Sequence, residues 1–399
     1  MRVLIVTTEY RAGSTGGVES VVDFLLSALR RRTDWEVEVA SLRMSRRAYE
    51  SRRVFAPKSW WGAQRVTTRQ VDGIDIHQVG SAFAELELSR FLPRKWMDSL
   101  VARADVVVVI AGTPAACNAV RGSRVPVVLQ VATLVKFERA EKNAQLRGPL
   151  ALYRRITTWL TSKLDDSGLR IPDVVLVENT LMLEECAGQA AGDVVLCPPG
   201  VDTDLYRPDR ESAESQPYIL MVARLDDARK NVAGLIRAYA RARDVHGVTH
   251  DLVLAGKSSP CESDLRLIGD LQLAASVRIH SPVSPTDLVK LYQGADLFAS
   301  ASFEEGLGLT FLEAMSCAIP VVTTDTAGAT YILSGSLAGA IVPLGQELTE
   351  RFASEIARWC GDERLRSAGG VAARERVMTT FAEKITAQRF ISAIGQVSK

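Results

Sequence analysis

Runs of β-branched and other apolar residues alternate with helix-period stretches from the first residues onward. "RVLIVTT" is followed by the amphipathic "VESVVDFLLSALRRR", and later come "DVVVVIAG", "VPVVLQVA", "DVVLVEN" and "DVVLCPPG". Continuous apolar strands separated by helices predict a parallel sheet covered on both faces. At residues 207–217, "RPDRESAESQP" is polar, lacks periodicity and carries a proline near each end, which predicts a linker. The pattern then restarts with "YILMVARL", "DLVLAGK", "SVRIHS", "ADLFASAS", "IPVVTTD" and "GAIVP", the signature of a second doubly wound unit. The tail predicts helices over 347–360 and 363–379 and a last one in "FAEKITAQRFISAIGQV". The expected organisation is a first domain at 1–206, a linker at 207–217, a second domain at 218–380 and a terminal helix at 381–399.

The 399 residues are 47% hydrophobic and 24% charged, ordinary values for a soluble protein with two domains. Forty-eight basic and 47 acidic side chains nearly cancel, so no overall field steers the chain to nucleic acid or to an anionic membrane, and no nucleic-acid partner is expected. Six cysteines, Cys117, Cys186, Cys197, Cys261, Cys317 and Cys360, form no CxxC pair and mostly sit in apolar runs. That pattern predicts buried, reduced thiols and neither disulfide nor zinc. Val3 to Val6 is too short for a signal segment and "DVVVVIAG" too short to span a bilayer, so the expected location is cytoplasmic.

One segment breaks the charge balance. Residues 43–69 hold eight basic residues against the single acid Glu50, with Trp60 and Trp61 between them. They read either as a solvated loop or as a patch for an acceptor or for peripheral membrane contact.

Candidate chemistry concentrates in "SFEEGLGLTFLEAMSCAIPVV", residues 302–322. In open α/β sheets ligands sit beyond the carboxyl ends of strands, where helix starts present free N–H groups to anions. Here a strand leads through Gly306, Leu307 and Gly308 into a helix. The glycines let backbone approach a ligand, and Leu309 and Thr310 offer N–H groups to a phosphate. Glu305 lies just before the helix and Glu313 a little over one turn inside it, roughly 6–8 Å apart along the axis. Such a pair suits two sugars flanking a diphosphate, although acids also favour helix starts for the macrodipole alone. "VARLDDARKN" supplies cations at the end of another strand. Arg224 and Lys230 either bind phosphate or solvate the strand–helix turn, and Arg229 is expected to face solvent. In "GSTGGVES", Gly16 and Gly17 open a helix after the first strand, as a plain turn or as an approach for phosphate.

Together these motifs resemble glycosyltransferase family 4 of the GT-B fold. The resemblance rests on the E-x7-E element ending in "EAMSCAIPVV", on "VARLDDARKN", on "CPPGVDTDLYRP" and on "GGVES", and it runs over nearly the whole chain. It implies two Rossmann-like domains facing across a cleft, with the last helix crossing back to the first. It implies retaining transfer from a nucleoside-diphosphate sugar to a small-molecule, glycan or lipid-linked acceptor, with no metal and no cofactor beyond that co-substrate. It assigns Arg224 and Lys230 to the diphosphate, Glu313 to ribose, Glu305 with residues 306–310 to sugar and phosphate, and Gly16 and Gly17 to the diphosphate from the first domain.

Two positions depart from the family pattern. Ala132 and Thr133 stand where a histidine is usual, and Ser281 stands where glycine is common, in a loop near the base. The first departure keeps open a pseudo-glycosyltransferase forming a C–N bond and a decayed nucleotide-sugar-binding protein. A dinucleotide dehydrogenase is disfavoured, since neither domain opens with GxGxxG followed by a suitably spaced acid. The "DTD" of Asp202 to Asp204 matches a metal-binding pattern from a different fold but reads here as a turn with Asx bonding. The acceptor is expected on first-domain loops, including "KFERAEKNAQLRGPL" with Lys136, Arg139 and Lys142.

Overall fold

The computed structural model describes residues 1–11, 17–45, 50–52, 59, 66–83, 85–86, 88–140, 143, 146–209 and 216–398. The chain divides into two compact units. One comprises Met1–Pro199 with Thr386–Lys399, and the other Gly200–Ile385.

In the first unit the strands are β1 (Arg2–Thr8), β2 (Glu36–Leu42), β3 (Val66–Val71), β4 (Ile74–Val79), β5 (Val106–Ala111), β6 (Val127–Val131), β7 (Val174–Val177) and β8 (Asp193–Leu196). They lie in the order β3-β4-β2-β1-β5-β6-β7-β8, and every pair is parallel except β3 with β4. Side chains alternate across a strand, so continuous apolar strands feed two cores at once. Leu4, Val6, Val107 and Val109 pack into one core, while Val3, Ile5, Val106, Val108 and Ile110 pack into the other. The second of these cores also receives Phe390, Ala393 and Ile394 of the terminal helix Glu383–Val397, with Phe390 edge-on to Phe24 at 5.5 Å.

The β3–β4 hairpin corrects the reading of residues 43–69 as one loop or patch. Val66 to Arg69 are strand, and the two-residue turn Asp72-Gly73 has positive φ at both positions (50° and 77°). Such a turn matches the twist of the strands it joins. Trp60, Trp61 and most of the basic segment lie outside the described residues.

A buried carboxylate ties two loops at the sheet's carboxyl edge. Asp165, on the helix Gly148–Gly168, accepts from the N–H of Ala115 after β5 (2.9 Å) and of Val135 after β6 (2.8 Å). Burial nevertheless pushes its carboxyl up to about 7. Three residues on, Gly168 touches the same loop: a Cβ there would lie 2.1 Å from the Pro114 carbonyl oxygen. Gly168→Ala is expected to cost about 1–3 kcal/mol of stability, more than the ~1 kcal/mol by which alanine favours a helix. Urea unfolding measures it.

The second unit has β9 (Tyr218–Val222), β10 (Asp251–Ala255), β11 (Val277–His280), β12 (Leu297–Ser300), β13 (Val321–Thr324) and β14 (Gly339–Val342). All its strand pairs are parallel, in the order β11-β10-β9-β12-β13-β14. Ile219 and Met221 face one core, Tyr218 and Leu220 the other. The chain builds outward from β9 to β11 and then returns to place β12 on the other side of β9. The carboxyl ends of β9 and β12 are therefore the switch point, where doubly wound sheets hold their ligands. The tail forms helices Leu348–Gly361 and Glu363–Arg376, the latter closed by a wider turn at Val377–Phe381.

Candidate functional site at the β9–β12 switch point

The loop leaving β9 is held by one carboxylate. Asp227 caps the short turn Ala228–Lys230, accepting from the Arg229 N–H at 3.1 Å, and its carboxylate also takes the Arg229 guanidinium, with Nη2 at 2.8 Å. Arg224 Nη2 reaches the same oxygen at 2.9 Å. Burial raises this carboxyl, but the hydrogen bonds and charge of Arg229, with Arg224 behind them, outweigh it and hold Asp227 well below the usual carboxylate range. Arg229 thus corrects the expectation that it faces solvent. Its side chain is 18% exposed and extends from Asp227 to Glu304 at 3.3 Å, whereas Arg224 is 53% exposed.

Lys230 follows, and its ammonium donates to Glu305 Oε1 at 2.7 Å across the switch point. The buried Ser302 hydroxyl donates to that oxygen at 2.8 Å and contacts Ser300 at 3.0 Å. Both donors converge on Oε1, and among the described residues none reaches Oε2, which remains able to accept from a ligand. Asn231, the next residue, adopts a left-handed conformation (φ 48°). Its side chain accepts from the Gly234 N–H at 3.2 Å and donates to the Ala301 carbonyl at 3.0 Å. One residue thus starts the helix Val232–His246 and fastens the β9 loop to the β12 loop.

The glycine turn is tight for identifiable reasons. Gly308 has φ 93°, and a Cβ on it would lie 2.5 Å from the Phe311 ring. Leu307 is buried, and its carbonyl abuts Gly328, where a Cβ would come within 2.3 Å. Gly306 sits partly buried beside Glu305, whose carbonyl accepts from the Gly328 N–H at 3.0 Å. The helix Leu309–Ser316 follows, and its first-turn N–H groups at Leu309 and Thr310 have no partner within the helix.

Glu313 lies on that helix but differs from a solvated helix acid. It is partly buried and accepts from the buried Tyr292 hydroxyl at 2.6 Å. Tyr206, edge-on to Tyr292 at 5.5 Å, supplies a second hydroxyl. Burial raises the Glu313 carboxyl to about 7, against the lowering effect of the two tyrosine bonds. Tyr206 is itself fixed through its backbone: Arg374 Nη1 holds its carbonyl at 2.9 Å, and the Ser316 hydroxyl holds it at 2.5 Å. No spacing rule marked Tyr206, Tyr292, Ser302 or Arg374.

Around this cluster, Ser281 and Ser259 hydroxyls are 3.3 Å apart beyond β11 and β10. Asp202 Oδ1 accepts from the N–H groups of Asp204 and Leu205, each at 3.0 Å, the Asx turn expected of "DTD". In the first unit Gly17 begins the helix Gly17–Arg32, while Gly16 lies outside the described residues. Thr133 N–H donates to the Gly112 carbonyl at 3.0 Å, joining the loops after β6 and β5. Lys136 is paired with Glu185, Arg139 is partly buried, and Lys142 lies outside the described residues. All six cysteines are free, and Cys261 corrects the expectation of burial: it is exposed, with Sγ 2.8 Å from Asp264.

Residues 202–376 match the family described as Glycosyl transferases group 1. Curated relatives include D-inositol 3-phosphate glycosyltransferases of Corynebacterium jeikeium, 29% identical over 50% of this chain and 54% of the relative, and of Nocardia farcinica, 29% identical over 48% and 45%. The chain thus spans about half the length of the curated relatives it matches. Among solved structures, sucrose-phosphate synthase from Thermosynechococcus elongatus superposes with TM-score 0.75 at 18% identity, covering 99% of this chain and 98% of that one. Anabaena HepE in complex with UDP and glucose gives 0.69 at 17%, covering 98% and 99%. The family match falls on the unit that carries the switch-point cluster, and the similarity to these structures runs over the full length of the chain, which has their GT-B fold.

Proposed function

We propose that the protein is a family 4 enzyme that transfers a sugar from a nucleoside-diphosphate sugar to an acceptor hydroxyl, retaining anomeric configuration and needing no metal. The observation that carries this reading is the Lys230–Glu305 pair across the switch point, one cation and one carboxylate on a shared oxygen with the second oxygen available. Lys230 and Arg224 neutralise the diphosphate, and the N–H groups of Leu309 and Thr310 add donors where its charge grows. Residues 306–308 let the backbone close on it. Glu305 Oε2 accepts from hydroxyls of the transferred sugar, and Glu313 accepts from the ribose diol. The acceptor oxygen bonds to the anomeric carbon on the face from which the diphosphate leaves. The acceptor's proton passes to the departing phosphate oxygen. The relatives' names and the UDP in the Anabaena structure make UDP the first donor base to test and a phosphorylated polyol the first acceptor.

Calorimetry with UDP, GDP, ADP and dTDP in excess chelator tests the donor assignment. One base is expected to bind selectively without metal. Binding that requires added Mg²⁺ removes the metal-free mechanism, and no binding by any removes the donor assignment. The anomeric configuration of the product, read by proton NMR, tests retention.

A further inference from the structure

Glu313 is held by more of the fold than a helix acid needs. Tyr292, on the helix Pro285–Gly294, is fully buried with its ring stacked 6.1 Å from that of Phe298, and its hydroxyl donates to Glu313 Oε2 at 2.6 Å. Tyr206 brings the second hydroxyl from a backbone fixed at both of its polar groups. Its N–H donates to the Asp202 carbonyl at 2.9 Å, and its own carbonyl takes Arg374 Nη1 at 2.9 Å and the Ser316 hydroxyl at 2.5 Å. Arg374 Nη2 also reaches the Thr203 carbonyl at 3.1 Å, and Gln293, next to Tyr292, donates to the Arg207 carbonyl at 3.1 Å. Both phenols are therefore set before any ligand arrives.

A buried acid held by two hydroxyls adds little to a core, because apolar side chains of the same volume pack in such places at no loss. What it offers is acceptor capacity. An ionised carboxylate has about four lone-pair sites, and the two phenols fill two of them. Among the described residues no third donor reaches Glu313. The pair that is left matches the two donors of a vicinal cis-diol, whereas a 2′-deoxyribose offers only one. On the reading of Glu313 as the ribose contact, on which this depends, we propose that Tyr206 and Tyr292 are positioning residues that reserve Glu313 for a cis-diol, so that the site takes ribonucleoside-diphosphate sugars and rejects their 2′-deoxy counterparts. Rejection follows because an acceptor built for a hydroxyl is left unpaired when that hydroxyl is missing.

Calorimetry on the full chain at pH 8, with UDP, GDP and ADP and the 2′-deoxy form of each, tests this. For the base that binds, the wild type is expected to hold the ribo form at least about ten-fold more tightly than the deoxy form. Tyr206→Phe and Tyr292→Phe keep their rings and lose one hydroxyl each, and each should bring that preference down to about two- to three-fold. In both variants the pH below which the ribo form is lost should rise above the wild-type value of about 7, because each phenol bond lowers the proton affinity of Glu313. Cys317, the other titratable neighbour, stays protonated throughout, its thiol pushed up to about 12 by burial. A wild type that binds both forms alike, or binds no nucleotide, overturns the ribose reading and this inference with it. A wild-type preference that both variants keep overturns the role of the tyrosines alone. Equal loss of both forms in the variants does the same, in favour of a packing role.

Discussion

Replacing Lys230 with alanine is expected to slow the proposed sugar transfer by about 10²- to 10³-fold, the usual effect of removing one preorganised charge-stabilising donor. The ammonium is held 2.7 Å from Glu305, itself fixed by Ser302, so its position is set before any ligand arrives. Its removal takes away the cation and also frees a carboxylate to repel the diphosphate. Lys230→Arg should recover little, because a planar fork does not occupy the place of a compact ammonium. Initial rates of nucleoside-diphosphate release, separated into kcat and KM, measure the effect. A variant turning over near the wild-type rate would remove Lys230 from the chemistry, whatever the donor proves to be.

Glu313→Gln is expected to make the protein more stable at alkaline pH, by on the order of 3 kcal/mol. The folded carboxyl holds its proton to about 7 while the unfolded one releases it near 4.5, so between these values the folded state binds more protons. Stability in the wild type should therefore fall as pH rises through that window and level off above it. Glutamine accepts the Tyr292 hydroxyl without the buried charge, so the variant should match wild type near pH 4.5 and exceed it at pH 8 to 9. Tyr206, Tyr292 and Cys317 are the titratable neighbours, and burial raises all three, so none gains charge across the window. If Glu313 accepts the ribose diol as a carboxylate, nucleotide affinity should also fall below pH 7 in the wild type. Denaturant melts at several pH values test the first statement and calorimetry the second.

What the sequence made legible follows from how local each signal is. β5 is six apolar residues in a row and β9 five, and nothing but a doubly buried strand accommodates them. Gly308 was readable as a point where backbone can approach a ligand, but its left-handed φ of 93° was not, since residues before helices are normally extended. The β3–β4 hairpin was hidden because its Asp-Gly turn follows a strongly basic stretch, and charge dominated the reading. Arg229 was read as solvent-facing, and only the fold brings Glu304 to it. The state of Glu313 depends on Tyr206, more than 100 residues earlier in the chain, and on Tyr292, so no window of sequence contains it.

The seating of the terminal helix has a consequence for how the protein is made. Phe390, Ala393 and Ile394 complete a core begun by Val3 and Ile5, yet all of Gly200–Ile385 is synthesised in between. At roughly 5–20 residues per second the ribosome needs on the order of 10–40 s for that stretch. During that interval the nascent first unit lacks the three side chains that complete the core around Val21 and Phe24, and at its end the second unit has every residue of its own core. The first unit is therefore expected to complete its core only after the second unit has been made.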